Sequence, residues 1–465
     1  MMQSFYNILL ILLSTFVATA TARADSPPNV VMIISDDQTW TDYGFMGHDV
    51  IRTPNLDRLA KESATFTRGY VPIALCRPSL ATMITGLYPH EHKITGNDPA
   101  QVDKDGKRIG KDNYQKLRDE LISHIDNLPT LPKVLGAKGY LSHQSGKWWE
   151  GNYARGGFTH GMTHGDPKRG GRHGDQGLKI GREGMQPVFD FIDQAGDKPF
   201  FLWYAPFLPH TPHNPPQRLL KKYTAPDRPI ELTRYYAMCD WFDETCGQLL
   251  DYLDEKKLSD NTLVVYVTDN GWIQRTAQTN APEGWKQSFA PKSKQSPYDG
   301  GTRTPIMLRW PGKIKAHQDD ETLVTSLDLA PTILAASGLE PTKQMSGINL
   351  LDVCNGKPTD RKAIFGESFA HDITDINDPE QSLLYRWCIE GRWKLLLTYD
   401  GKIGRYAPVH ASRPNLPQLF DLIDDPLETK NLSERHPAVV SQLSHKINDW
   451  WKLKKLRPRG FQTAN

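Results

Sequence analysis

Two short stretches of the chain are continuous apolar runs: residues 29–34 (NVVMII), apolar throughout after Asn29, and 263–267 (LVVYV). A strand offers side chains alternately to its two faces, so a continuous apolar run is what a strand covered on both faces requires. Residues 199–204 (PFFLWY), 140–145 and 306–309 read as further strands. Between them the spacing changes to the helical period. Residues 53–65 (TPNLDRLAKESAT) set Leu56, Leu59 and Ala60 on one side after a Thr-Pro start, which predicts a crossover helix. Residues 131–137, 185–195, 232–254 and 327–336 predict other helices. Strands alternating with helices predict an α/β fold with a large, mostly parallel sheet flanked by helices. After about Lys362 the pattern changes. Residues 363–365, 385–389 and 393–398 read as strands joined by turns such as Asp400-Gly401, and residues 439–452 as a closing amphipathic helix. The chain therefore divides into a larger domain over residues 25–362 and a smaller C-terminal α+β domain, an antiparallel sheet with a closing helix, over residues 363–465.

At 465 residues the chain exceeds an ordinary single core, in keeping with two domains. Lys and Arg total 56 against 54 Asp and Glu, a formal net charge of +2. No face-sized basic excess follows, so nothing calls for a nucleic-acid partner. The basic end, with Lys452, Lys454, Lys455 and Arg457, reads as a solvated tail. Residues 8–17 form an apolar run too short to span a bilayer, followed by Ala22-Arg23-Ala24, an A-x-A cleavage pattern. This predicts a signal peptide over residues 1–24, cleaved near Ala24, and a secreted or periplasmic mature chain with no membrane span. Five cysteines do not make a disulfide scaffold. Cys239 and Cys246 share one predicted helix and sit roughly 10 Å apart at ~1.5 Å per residue, out of disulfide reach. Cys354 and Cys388 remain as a pair that could bridge. The twelve tryptophans serve cores first, although aromatic rings also line carbohydrate sites.

The candidate chemistry gathers where the apolar runs stop. Residues 29–34 end in Ser35-Asp36-Asp37, and residues 263–267 end in Thr268-Asp269-Asn270-Gly271. Open α/β sheets bind ligands outside the carboxyl ends of their strands, and adjacent buried acids there need a neutralising partner. Three carboxylates and an amide are hard oxygen donors, which suit Ca²⁺ or Mg²⁺ better than zinc. Cys76 opens a small-residue stretch in which Pro78 fits a first helical turn and Gly86 a left-handed stop. Cys76 is thus expected at a helix N-terminus, where the dipole favours an anion. Alone, such a cysteine is most simply a buried structural thiol. Lys147 follows the strand over residues 140–145, and Leu208-Pro209-His210-Thr211-Pro212 follows the PFFLWY strand. Residues 98–126 read as a polar surface insertion. Residues 151–184 form a glycine-rich loop with His160, His164 and His173, whose spacing matches no zinc template.

Taken together, these motifs resemble the formylglycine-dependent sulfatases, the arylsulfatase-like branch of the alkaline phosphatase superfamily. The resemblance runs from about Asn29 to the C-terminal helix. Asp36-Asp37 and Asp269-Asn270-Gly271 are similar to the family's two metal pairs, and Cys76-x-Pro78-Ser79 with Thr85-Gly86 to its nucleophile signature. Gly139-Tyr140 through Gly146-Lys147-Trp148 is similar to its second signature, and Pro209-His210-x-Pro212 to its substrate histidine. Lys294, four residues before Tyr298-Asp299-Gly300-Gly301, is similar to its late lysine. Leu419-Phe420-Asp421-Leu422 with Asp425-Pro426 and Glu428 is similar to its second-domain motif. The resemblance implies an alkaline-phosphatase-like fold whose larger domain is catalytic, and a sulfuric ester hydrolase. It implies that Cys76 is oxidised to formylglycine by a formylglycine-generating enzyme. It implies Cys76, Lys147, His210 and Lys294 as catalytic residues, and Ca²⁺ held by Asp36, Asp37, residue 76, Asp269 and Asn270. The expected substrate is a sulfate ester of a sugar rather than of an aryl compound, given the leader and the tryptophans. A phospho- or phosphonate-ester hydrolase, or a catalytically impaired binding protein, are the alternatives on the same scaffold. Two positions depart from the family pattern. Leu80 stands where the family has arginine, and Trp149 where it has histidine. His143, His164 and His173 are the candidates to serve in place of that histidine, and spacing does not choose among them.

Overall fold

The computed structural model describes residues 27–103, 105–272, 292–404 and 413–460. The expected signal peptide lies outside the described residues. In chain order the strands are β1 (Asn29–Ser35), β2 (Ala64–Tyr70), β3 (Asp98–Pro99), β4 (Leu141–Gly146), β5 (His160–Gly161), β6 (Phe200–Ala205), β7 (Thr262–Thr268), β8 (Arg303–Arg309), β9 (His317–Asp319), β10 (Val324–Thr325), β11 (Ala363–Phe369), β12 (Asp372–Ile373), β13 (Leu383–Glu390), β14 (Trp393–Thr398) and β15 (Gln418–Asp421). The main sheet runs β10-β2-β8-β7-β1-β6-β4-β5, with β9 against β2. β1 lies at its centre, parallel to both β6 and β7. The antiparallel pairs of this sheet are those of β8 with β7 and β2.

The apolar run of β1 is explained by its two covered faces. Val30, Met32 and Ile34 join a core with the helices Cys76–Thr85 and Leu329–Ala336. Val31 and Ile33 join the opposite core with the helices Gln186–Ala195 and Ile230–Glu255. Each such side chain contributes roughly 1.5–3 kcal/mol by leaving water, so none of the five positions from Val30 to Ile34 tolerates a polar residue cheaply. The helix expected over residues 53–65 stops at Lys61, and Ala64 already begins β2. Ala64, Thr65 and Phe66 pair with both β8 and β9, and this pairing outweighs the helical spacing.

The C-terminal sheet is antiparallel, in the order β11-β13-β14-β15, and is backed by the helix Pro437–Trp450. Its core includes Leu395, Leu397, Leu419, Leu443 and Ile447, and also Ile73 and Leu75, which lead directly into Cys76. A two-stranded parallel sheet, β3 with β12, ties the two parts together.

Several expectations are corrected here. All five cysteines are free; Cys354 sits in the main core and Cys388 in the C-terminal one, so that pair does not bridge. Residues 98–126 are not simply a surface insertion, because Asp98 is buried while the helix Lys111–Ser123 lies largely outside. The basic end keeps Lys452, Lys454, Lys455 and Arg457 exposed, as expected, but its backbone is anchored, with the amides of Lys454 and Lys455 donating to Glu380 at 2.7 and 2.8 Å. No helix among the described residues is long and apolar enough to cross a membrane.

Candidate active site

Four neighbouring strands, β7-β1-β6-β4, deliver the site from their carboxyl ends. β1 and β7 run in register, with Ser35 beside Thr268, so Asp36-Asp37 and Asp269-Asn270 emerge side by side. The Asp269 amide donates to Ser35 O at 2.9 Å, and the Asp37 amide to Asp269 Oδ1 at 3.0 Å. Asp37 holds a left-handed φ of 61°, a conformation that costs a non-glycine residue energy and recurs at functional sites. β4 releases Lys147 just past Gly146. The φ of +86° there, and a Cβ position only 1.7 Å from Ala205 O, admit glycine alone. The segment after β6 brings His210 to Asp37, with Nε2 3.3 Å from Oδ2.

Lys294 arrives on a pinned loop. The Gln295 amide donates to Ala74 O at 2.7 Å, and Ser293 Oγ to Gly300 O at 2.9 Å. The helix Cys76–Thr85 starts and stops as its sequence predicts. Gly86, at φ 69°, closes it with its amide on Thr82 O. Cys76 is 1% exposed, with Sγ 3.7 Å from Asp37 Oδ1. Lys147 Nζ donates to Asp36 Oδ1 at 2.7 Å, and Lys294 Nζ to both oxygens of Asp37 at 2.6 and 2.7 Å. The structure thus brings Asp36, Asp37, Cys76, Lys147, His210, Asp269, Asn270 and Lys294 to one edge.

Burial dominates the electrostatics of this edge. It pushes Asp36 well up and Asp269 up, and it raises the Cys76 thiol to about 12. Asp37 also feels burial, but Lys294, then His210 and Lys147, outweigh it and hold the carboxyl low. Burial works against the charge on Lys147 and Lys294, yet Asp36 and Asp37 respectively keep both ammonium groups charged. Even so, three buried oxygens have no hydrogen-bond partner: Asp36 Oδ2, Asp269 Oδ2 and Asn270 Oδ1. Ligand atoms of Asp36, Asp37, Cys76 and His210 lie within 4.8 Å of one another. Buried carboxylate oxygens left unpaired are costly unless a ligand takes them. The residues therefore fit a cation that prefers oxygen.

Above this edge lies a cavity of about 330 Å³, lined by Asp37, Cys76, Lys147, His210 and Lys294 and by residues the sequence did not single out: Asn97, Arg172, Gln295 and His371. Those come from separate segments with no common pattern. The two departures meet in space, because Leu80 and Trp149, 5% and 4% exposed, line one small cleft with Ala81, Ile84 and Trp148. Arg77 does not stand in for the missing arginine. It is buried in a two-pronged ion pair with Glu150 at 2.8 and 2.6 Å. Of the three histidines, His173 lines the cavity, its ring 5.2 Å from that of Trp149, and burial and then Lys147 push it down to about 3. His143 packs on Phe191, and His164 on Tyr153, both elsewhere.

Comparison with known proteins bears on this geometry. The sulfatase family model matches residues 28–339, and the model for the C-terminal region of N-sulphoglucosamine sulphohydrolase matches residues 292–453. The chain is 29% identical over 398 residues to N-acetylgalactosamine-6-sulfatase of Canis lupus familiaris, covering 77% of this chain and 72% of that protein. It is 27% identical over 474 residues to arylsulfatase A of Homo sapiens, covering 91% and 86%. The PsFucS1 sulfatase from Pseudoalteromonas sp. has the same fold, with a TM-score of 0.64 at 19% identity over 93% of this chain and 92% of that one. The chain belongs to the sulfatase family and is a sulfatase of the alkaline phosphatase superfamily.

Proposed function

We propose that the protein releases sulfate from a sulfated carbohydrate, with residue 76, as formylglycine, carrying the nucleophile. One observation supports this above others: a buried cysteine and two buried lysines line one cavity at the strand ends, and Asp36, Asp269 and Asn270 at the same strand ends each keep a buried oxygen without a partner. The sugar preference rests on relatives such as N-acetylgalactosamine-6-sulfatase. Converted to formylglycine, residue 76 would supply a hydrated aldehyde whose hydroxyl is directed at sulfur. Ca²⁺ held by Asp36, Asp37, residue 76, Asp269 and Asn270 would supply positive charge opposite the sulfate.

The chain's own groups do the rest. Lys147 and Lys294 offset the negative charge of the ester, which otherwise repels an approaching oxyanion. Asp36 and Asp37 in turn hold the two ammonium groups in place, at 2.7 and 2.6 Å. His210 and Lys294 reach the cavity beside each other and are the groups placed to give a proton to the departing alkoxide oxygen. The low water access at Cys76 strengthens each of these interactions. We further assign residues 25–362 as the catalytic domain and residues 363–465 as the smaller domain, with secretion or periplasmic export after cleavage near Ala24.

The test is peptide mass spectrometry across residue 76, on protein made with a formylglycine-generating enzyme, together with an assay for free sulfate. The expected result is the aldehyde at position 76 and sulfate release from sulfated sugars. An unmodified thiol in the presence of that enzyme would contradict the formylglycine assignment. Release of phosphate but no sulfate would turn the reading toward phosphorus esters.

A further inference from the structure

The cavity beside Cys76 has a second wall, built from segments that carry none of the motifs above. Asn97, just before β3, Arg172, from the glycine-rich loop, and His371, just before β12, line it, and Asp98 and Asp372, the first residues of β3 and β12, stand behind them. The pairing of β3 with β12 sets Asp98 directly beside Asp372. Asp98, His371 and Asp372 are all buried and place ligand atoms within 4.8 Å of one another. Asp98 grips Arg172 in a fork. Arg172 Nε donates to Oδ1 at 2.9 Å, and Nη2 donates to Oδ2. The guanidinium lies 4.7 Å over the ring of Trp149, and the side chain is 41% exposed.

Asn97 is fixed as firmly. The Arg77 amide donates to Asn97 Oδ1 at 3.0 Å, and Asn97 Nδ2 meets His371 Nε2 at 3.3 Å. With Nε2 accepting from that amide, His371 Nδ1–H donates to Asp372 Oδ1 at 2.7 Å. A continuous polar chain thus runs from the helix that carries Cys76 to the C-terminal strands.

The chemistry of this wall discriminates between leaving groups. A sugar ring presents neighbouring hydroxyls, which pair with a fixed guanidinium and a fixed amide. An aryl group presents an apolar face and needs a bare aromatic slot. Here the face of Trp149 is covered by Arg172. A second cation is disfavoured, since Asp98 already receives two guanidinium N–H groups and a metal would have to displace that charge.

We propose that Arg172 and Asn97 bind the hydroxyls of the substrate's sugar, with Asp98 and His371 as positioning residues, so that this wall selects sugar sulfates over aryl sulfates. The inference rests on the sulfatase reading above and deepens it. The test compares 4-nitrophenyl sulfate with a panel of monosulfated monosaccharides, using formylglycine-bearing wild type, Arg172→Ala, Arg172→Lys and His371→Gln. For the best sugar sulfate, kcat/KM is expected to fall about 10–100-fold in Arg172→Ala, mainly through KM, while 4-nitrophenyl sulfate does not fall and gains as the face of Trp149 is uncovered, so that the sugar-to-aryl ratio drops at least about tenfold. Arg172→Lys keeps the charge and the stem but loses the fork, and is expected to keep the wild-type melting temperature while losing the sugar preference. His371→Gln is expected to raise KM for the sugar alone. Equal losses on both substrates would overturn the proposal. So would a wild type that cleaves the aryl ester and no sugar ester; a wild type that cleaves neither would overturn the sulfatase reading with it.

Discussion

Two clusters of buried lysines and carboxylates lie close together in this molecule, and they differ in one respect. At the junction with the C-terminal sheet, Lys394 on β14 is fully buried and sits 2.8 Å from Asp299 and 3.0 Å from Glu428. The Asp299 amide donates to the other Glu428 oxygen at 2.6 Å. Burial pushes Glu428 up to about 7, and Lys394 opposes that rise. At the catalytic edge, Lys147 and Lys294 pair with Asp36 and Asp37 in the same way, but Asp36 Oδ2, Asp269 Oδ2 and Asn270 Oδ1 are left without partners. At the junction Glu428 Oε1 also lacks a hydrogen bond but faces the Lys394 ammonium at 3.0 Å, and Glu428 O accepts from Lys292 Nζ on the loop of Lys294. The edge is incomplete without something from outside. Residue types and burial are alike in the two clusters; what marks the functional one is three buried oxygens without hydrogen bonds, against one at the junction that lies 3.0 Å from its lysine.

Exchanging a carboxylate at the edge gives the largest expected effect. Asp269→Ala should lower sulfate release by about 10³-fold or more, because it removes charge aimed at the reacting group. Its melting temperature without added metal should change little, since losing a buried carboxylate whose Oδ2 has no partner offsets the loss of the acceptor for the Asp37 amide. A loss of stability matching the junction variant would erase the contrast. Lys394→Met should do the opposite. Leaving Asp299 and Glu428 without their buried cation should cost about 3–5 kcal/mol in denaturant unfolding, with the response to calcium retained.

A smaller effect separates the junction further. His90 pairs with Glu367 at 2.9 Å and stacks on Trp451 at 4.4 Å. Burial lowers the affinity of His90 for its proton, but Glu367 outweighs it and the net shift is upward. A raised histidine adds stability that is complete below the unfolded value of about 6.5 and is lost as pH rises through the folded value. Glu367→Gln should therefore flatten the decline in melting temperature above pH 6.5, and an unchanged slope would remove His90 from that role.

Much of the edge was legible in the sequence because strand ends announce themselves. NVVMII and LVVYV stop at acids, and the sheet sets them side by side. Cys76 was legible through Pro78 and Gly86, which fix a helix start and stop. The sugar-facing wall was not. Asn97, Arg172 and His371 lie in three distant segments, joined by a two-residue strand pair that leaves no periodic trace. β2 was hidden because its pairing with β8 and β9 is tertiary, while its first residues continue a helical spacing. The Leu80 and Trp149 departures were visible one at a time, but only the fold places them in one cleft.

The most direct measurement is a calcium titration of the purified wild-type protein, stripped of metal and followed by calorimetry and thermal melting. The expected result is one equivalent of Ca²⁺ bound and a melting temperature that rises with its concentration, with both responses absent in Asp269→Ala. Wild type that binds no divalent cation and melts at the same temperature throughout would contradict the claim that the unpartnered oxygens at this edge form a metal site.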